Sequence, residues 1–318
     1  MSGKNTNINR EITTEQIAIY QMHNFNIYDS LLGKEASTPE KYDASLLFRI
    51  PRSENRIKYE IENSHLPFVG VDVWNCYEMS FLTKNGLPVS RIMKLVYPAD
   101  SEFIVESKSL KLYLNSFNME CFETGIEDSI SRVQAIIEKD LSCLLKTKIS
   151  VNLFDENGRK TIPFLDIKNI NRYISTKEQE LIVFEHYQET PKLLQSQKTE
   201  ETYDYSFHTD LLRSNCRVTN QPDWGNLFVR ISAKYILDFS SIIRYLVSFR
   251  KENHFHEEVV EMIYKRFKDA FEPEKLMVAA MYTRRGGIDI NPIRASHENL
   301  LEEAFLIKSA RLAKTLRQ

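Results

Sequence analysis

The 318-residue sequence predicts an α+β protein built from two similar halves, each with antiparallel strands and a pair of helices. An internal echo is the first sign. Tyr113-Leu114-Asn115-Ser116-Phe117 recurs 132 residues later as Tyr245-Leu246-Val247-Ser248-Phe249. The second sign is helical spacing after each copy: Ile126, Ile130, Val133 and Ile137 in one, Val260, Tyr264, Phe267 and Phe271 in the other, each set lining one helix face. The third is strand-like sequence before each copy, RIMKLVY over Arg91 to Tyr97 and the alternating Leu227, Val229 and Ile231.

In chain order, residues 1–40 are polar and weakly patterned and read as a flexible arm with room for a short helix. Ordered structure is expected from YDASLLFRIPRSENR, Tyr42 to Arg56. The expected organisation is therefore an arm over 1–40, a first module over 41–160, a connecting segment over 161–205 and a second module over 206–318. Gln195 to Asp204 has the composition of a linker or surface loop, and Pro222-Asp223-Trp224-Gly225 that of a turn entering a strand at Leu227.

Composition narrows the class. Apolar residues are 42% and charged residues 27%, ordinary for a soluble globular protein. A net charge of −2 supplies no global field toward nucleic acid or an anionic membrane. No apolar run approaches the roughly 20 residues of a spanning helix, and the polar N-terminus lacks the apolar stretch of a signal peptide. Cys76, Cys121, Cys143 and Cys216 are scattered with no CxxC spacing, so neither a metal site nor a redox pair is expected, and a reducing cytoplasm is the natural setting. Cys143 reads as helix packing, and Cys76 and Cys121 have apolar or aromatic neighbours.

Four segments carry chemistry-bearing residues. In SNCRVTNQPDWG, Cys216 lies between Arg213 and Arg217, whose charge would favour a thiolate, and Asp223 follows seven residues on. Alone, the pair also reads as a structural cysteine beside a turn aspartate. In HFHEE, His254 and His256 do not share a helix face, which argues against a two-histidine metal site, whereas His256 beside Glu257 could grip a polar heterocycle. The first-turn carboxylates Glu257 and Glu258 equally suit a helix start. In IVESKSLKLYLNSF, Glu106 ends a strand, Ser107 is placed to cap the following helix, and Lys108 and Lys111 add charge for phosphates; a solvated helix has the same look. In YTRRGGIDINP, two arginines precede Gly286–Gly287, where backbone can approach a phosphate closely, and a charged tight turn is the plainer alternative. Neither GxGxxG nor GxxxxGK[ST] occurs.

Together and in this order, YDASLLFRIPRSENR, VESKSLKLYLNSFN, SNCRVTNQPDWG, YLVSFRKENHFHEE and YTRRGGIDINP resemble the NADPH-dependent 7-cyano-7-deazaguanine reductases (QueF) of queuosine biosynthesis, in their longer two-module form. The likeness runs from about Leu32 to the C-terminus and is faint over Asn152 to Thr202; Ile293 stands where the family pattern leads one to expect tryptophan. The resemblance implies tandem tunnelling folds, each an antiparallel sheet packed by two antiparallel helices, and a homodimer. It implies a small deazapurine substrate, NADPH as cofactor, no metal, no direct nucleic-acid partner and no membrane. It implies that Cys216 forms a thioimide with the nitrile and that Asp223 donates a proton. Val105, Glu106, Ser107, His256 and Glu257 would bind the substrate, and Ser107, Lys108, Arg285 and Gly286 the cofactor. Three other readings stand beside it: a cyclohydrolase or synthase on the same fold, a nitrile hydrolase, and a purine-binding module without chemistry.

Overall fold

A computed structural model describes residues 39, 41–155, 159–161, 164–301 and 311–318, with backbone alone for 159–161, 311 and 313. The expected N-terminal arm, Pro39 apart, lies outside the described residues. The first half comprises β1 (Arg49–Pro51), α1 (Ser53–Lys58), β2 (Val69–Leu82), β3 (Pro88–Pro98), β4 (Phe103–Val105), α2 (Ser107–Asn115), α3 (Ile126–Leu145) and β5 (Ser150–Phe154). Between the halves lie β6 (Arg159–Thr161), β7 (Lys168–Asn169) and α4 (Thr176–Leu181). The second half comprises β8 (Ser196–Asn215), β9 (Pro222–Leu237), α5 (Phe239–Val247), α6 (His256–Phe271), β10 (Lys275–Tyr282) and β11 (Ile288–Ala295), with β12 (Arg311–Ala313) after it.

Eight strands form one sheet in the order β5-β3-β2-β11-β10-β9-β8-β7, antiparallel except for the short β7–β8 pair. Its centre is the β2–β11 pair, where the last long strand of the second half meets the first long strand of the first, from Val69 opposite Ala295 to Cys76 opposite Ile288. The protein is thus α+β, with both helix pairs on one face of a shared sheet. Alternation along the strands explains the layering, because successive side chains point to opposite faces. Trp74, Cys76, Met93 and Leu95 face Tyr113, Val133 and Ile137 in the first-half core. Val229, Ile231, Val278 and Ala280 face Ile242, Leu246, Val260 and Phe267 in the second. Val73, Phe228, Met277, Ala279 and Ile293 point to the other face, which Phe164 and Ile167 cover. Ile293, the departure from the family pattern, therefore lies in the layer behind the helices. Each large apolar side chain buried this way contributes about 1.5–3 kcal/mol.

The sequence echo is matched within each copy, while the tyrosine hydroxyls find acidic partners from different segments. The Tyr113 hydroxyl donates to Asp140 at 2.7 Å and that of Tyr245 to Glu189 at 3.1 Å. The Ser116 and Ser248 hydroxyls each donate to the carbonyl of their tyrosine at 2.6 Å. The Tyr113–Phe117 and Tyr245–Phe249 rings meet edge to face at 5.2 and 5.5 Å.

Several local expectations change. Gln195 to Asp204 is not a linker: from Ser196 it belongs to β8, paired with β9, so the expected boundary at 206 falls inside a strand. Its polar composition reflects a sheet end exposed on both faces. The turn before Leu227 lies earlier than expected, at 216–221, and Pro222 already opens β9. Ile126, at the exposed first turn of α3, does not join the buried face that Val133 and Ile137 form. Cys143 is exposed on α3 rather than packed, whereas Cys76 is buried in β2.

Candidate active site

The β8–β9 hairpin presents Cys216. Its backbone N–H donates to the Gln221 carbonyl at 2.8 Å, and Asn220 N–H donates back to the Cys216 carbonyl at 3.0 Å. Asn220 has φ +56°, the left-handed region that asparagine tolerates better than most residues. The end of β8 is then sewn to the segment before α6. Asn215 N–H donates to the Glu252 carbonyl at 2.8 Å, and His254 N–H donates to the Asn215 carbonyl at 3.1 Å. This brings the first turn of α6 beside the thiol. Asp223 sits on β9 opposite Ser214.

One pocket collects these groups. From the second half come Cys216, Asp223, His256, Glu257 and Arg285; from the first come Val105 and Ser107, at the β4–α2 junction. Trp74 of β2 and Ile290 of β11 reach it from the central strands, and Ile104, His254 and Phe255 complete the lining. Trp74, Ile104, Phe255 and Ile290 look like ordinary core residues in the chain, and nothing in their local sequence marks them as pocket lining. Nor does the local sequence show that Tyr282 supports His256, the two rings lying parallel at 3.8 Å.

Three expected site residues stand elsewhere. Glu106 is fully buried, and its two carboxylate oxygens accept from the backbone N–H groups of Lys108 at 2.9 Å and Ser109 at 2.7 Å. Glu106, not Ser107, is the cap of α2, because its extended backbone just before the helix aims its side chain at the first free N–H groups. Burial raises the Glu106 carboxyl above its usual range, against the pull of those same N–H groups. Lys108 follows on the half-buried first turn. Gly286 belongs to a neighbouring groove with Cys76, Glu78, Lys111, Asn115 and Gly287. There Lys111 Nζ donates to the Gly286 carbonyl at 2.7 Å and lies 3.3 Å from Glu78.

The electrostatics centre on Asp223. One carboxylate oxygen lies 3.1 Å from Arg285 Nη1 and the other 3.3 Å from His256 Nε2. Glu257 is buried, and its carboxyl is pushed up to about 8, by desolvation first and then by Asp72, against Arg52 and Arg294. Among the described residues, Glu257 Oε1, His256 Nδ1 and Trp74 Nε1 are buried without hydrogen-bond partners. Such orphans are uncommon in folded proteins and mark a surface built for something else to complete. His254 bridges Glu252 at 3.0 Å and Glu258 at 3.4 Å; burial works against its charged form, but these two carboxylates more than offset it and raise its pKa.

The arginines flanking Cys216 have partners of their own. Arg217 pairs with Glu258 at 3.0 Å and Glu54 at 3.4 Å, while Arg213 donates to the Arg250 carbonyl and lies against Trp224. Both guanidinium groups thereby tie the hairpin to its neighbours.

A buried thiol, a carboxyl–imidazole pair and an unpartnered acceptor oxygen in one pocket are the parts of an enzyme active site. Comparison with known proteins narrows the class. A family model described as "Nitrile reductase, 7-cyano-7-deazaguanine-reductase N-term" matches residues 38–153, and one described as "QueF-like protein" matches 222–300. An NADPH-dependent 7-cyano-7-deazaguanine reductase of Colwellia psychrerythraea is 41% identical over 290 residues, covering 90% of this chain and 95% of the relative. Proteins of the same name from Rickettsia prowazekii and Rickettsia typhi are 41% and 42% identical over 270 residues, covering 85% of this chain and 94% of each relative. The chain belongs to the NADPH-dependent 7-cyano-7-deazaguanine reductases, a family of oxidoreductases.

Proposed function

We propose that this protein reduces the nitrile of 7-cyano-7-deazaguanine to the aminomethyl group, with Cys216 as covalent nucleophile, in the cytoplasmic route to queuosine. The observation that carries the reading is convergence. Cys216, Asp223, His256 and Glu257 from one half and Val105 and Ser107 from the other, spread over more than 150 residues of sequence, line a single pocket.

In the first step the thiol adds across the C≡N bond. Sulfur bonds to carbon, and the proton passes to nitrogen through the Asp223–His256 pair, giving a thioimide. This replaces one hard addition by easier ones. NADPH supplies the hydride for each of the two reductions, four electrons in all. Between them the C–S bond breaks and the thiol is restored, and the Asp223–His256 pair delivers the protons that each reduction consumes. Glu257, with one carboxylate oxygen unpartnered, accepts from the ring N–H and exocyclic amine of the base. Val105 and Ser107 border the base from the other half.

The residues around the glycine turn suit a phosphate-bearing cofactor. Gly286 and Gly287 have φ +59° and +77°, and a Cβ on Gly287 would lie 2.4 Å from the Glu78 carboxyl carbon, so this turn requires glycine. Arg285, Lys108 and Ser107 would hold the cofactor there, with Lys111 fixing the turn through the Gly286 carbonyl. Glu106 keeps the Val105–Ser107 backbone in place through its cap, and the reading assigns it to the substrate side of the site. The halves act as tandem tunnelling-fold modules, and the working unit is a homodimer.

Mass spectrometry of the protein mixed with 7-cyano-7-deazaguanine and no NADPH tests the reading. The expected result is a mass gain equal to one base, located on Cys216. No adduct alongside normal NADPH-dependent turnover would overturn the covalent route.

A further inference from the structure

A second set of charged residues lies behind the pocket. Arg52, Arg56, Asp72, Glu261 and Arg294 are all 4% exposed or less. Arg294 bonds Asp72 at 2.8 Å and Glu261 at 2.9 Å. Arg56 bonds Glu261 at 2.7 and 2.8 Å. Arg52 bonds Asp72 and lies 3.6 Å from Glu261. The cluster spans the central seam, since Asp72 is on β2 and Arg294 on the paired β11, while Glu261 is on α6. Gly70 opposite Arg294 makes room for it: a Cβ there would lie 2.2 Å from the Ile293 carbonyl and 3.0 Å from Arg294 Cδ.

Its charges do not cancel. Three guanidinium groups face two carboxylates, leaving one positive charge in excess inside the protein, a costly arrangement. One turn before Glu261 on α6 stands Glu257, in the pocket. The groups that act on Glu257 include Asp72 from β2, Arg52 from the β1–α1 junction, Arg294 from β11, Tyr97 from β3 and Tyr282 from β10, and Asp223, His254, His256 and Arg285 line the same pocket. Arg52 and Arg294 favour its carboxylate, and Asp72 and burial favour its acid.

We propose that this cluster is a positioning device for Glu257: its surplus positive charge is answered by the Glu257 carboxylate when a base with adjacent N–H donors enters, so that base binding and release of one proton from Glu257 are a single event. The inference rests on the reading of Glu257 as the acceptor for the base. The base supplies the hydrogen bonds that Oε1 lacks, and the cluster supplies the counter-charge. In the empty pocket burial and the unpartnered Oε1 favour the neutral acid of Glu257, its carboxyl pushed up to about 8. Affinity for the base therefore rises by about tenfold per pH unit below that point and levels off above it.

The test is calorimetric titration of the Cys216→Ala protein, which cannot form the adduct, with 7-cyano-7-deazaguanine from pH 6 to 9 in pairs of buffers of different ionisation heat. The expected result at pH 7 is release of about one proton per base bound. Asp72→Asn should move the midpoint of the affinity–pH curve down and Arg52→Gln should move it up, each by about one unit or more, with Arg52→Lys restoring it. A cluster that merely braced the fold would not shift one midpoint in two directions. Binding without proton release, or variants that shift the midpoint the same way or not at all, would overturn the proposal. If Asp72→Asn does not fold, the proton count and the Arg52 pair still decide. Glu257→Gln separates the two levels: base affinity indifferent to that change would overturn the reading of the pocket, and this inference with it.

Discussion

The β8–β9 hairpin has a twin in the β2–β3 hairpin. In the second half Asn215 exchanges backbone hydrogen bonds with Glu252 and His254 at 2.8 and 3.1 Å; in the first, Leu82 does the same with Glu120 and Phe122, both at 2.9 Å. Cys216 N–H closes its turn on Gln221 at 2.8 Å, and Thr83 N–H closes the other on Leu87 at 2.9 Å. Proline opens the return strand in both, opposite Asn215 and opposite Leu82. By this register Thr83 occupies the place of Cys216 and Val89 the place of Asp223. The helix that follows begins after Phe255 in one half and after Gly125 in the other, so Ile126 and the exposed Glu127 stand where His256 and the buried Glu257 do. The backbone that holds Cys216 is thus present twice, and its side-chain surroundings once. A hairpin tied to a helix start is scaffolding; side-chain identity and a facing wall from the other half turn it into a site.

Exchanging the two turns should produce the largest effect. Cys216→Thr, which copies the first-half residue, is expected to abolish turnover and adduct formation while leaving the melting temperature nearly unchanged. Adding Thr83→Cys to that variant should restore neither, as judged by NADPH consumption. Recovery would mean that the first hairpin can serve as a site and that the comparison has been drawn too sharply.

Asp223→Asn comes next. It keeps the shape and removes the proposed proton carrier, and the expected loss in kcat is about 10²–10⁴-fold, the usual worth of a positioned general acid. NADPH affinity, measured by fluorescence titration, should change little. If cofactor binding collapsed while chemistry persisted, Asp223 would belong to the cofactor site instead.

The smallest effect sharpens the comparison at the other helix pair. Glu106 caps α2 through Ser109 N–H at 2.7 Å, and Asp238 caps α5 through Ser241 N–H at 3.1 Å. The Ser109 and Ser241 hydroxyls each donate back to the carbonyl of their capping residue at 2.7 Å. Glu106→Ala and Asp238→Ala should therefore cost similar stability, about 1 kcal/mol each by denaturant titration. Only the first should also raise KM for the base, because only α2 begins at the pocket wall. Equal KM values in the two variants would leave Glu106 as a cap alone.

Much of the fold was legible in the chain. Val260, Tyr264, Phe267 and Phe271 repeat at helical spacing because one side of α6 must stay dry, and that requirement acts on every turn. The five-residue echo was legible because serine and phenylalanine make the same contacts with their own tyrosine in both halves. Legibility failed where local composition and tertiary setting diverge. Ser196 to Asp204 is polar because both faces of that sheet end are wet, which in sequence looks the same as a loop. Ile126 keeps the apolar spacing but lies at a helix end that nothing covers. Arg213 and Arg217 flank the thiol in sequence, but their partners, the Arg250 carbonyl, Glu258 and Glu54, come from distant segments that the local sequence does not reveal.

By itself, the order of residues established two related α+β halves, the segments that carry chemistry, and a likeness to one family of reductases. Those properties are repeated or contiguous, so nearest-neighbour spacing expresses them. Tertiary structure decided that the halves share one sheet, that Glu106 turns inward to cap a helix, that Trp74 and Ile290 reach the pocket, and that Arg56 meets Glu261 across 205 residues. Contacts of that range leave no periodic trace in the chain, because they arise only when separately folded faces are pressed together and their buried charges must find partners.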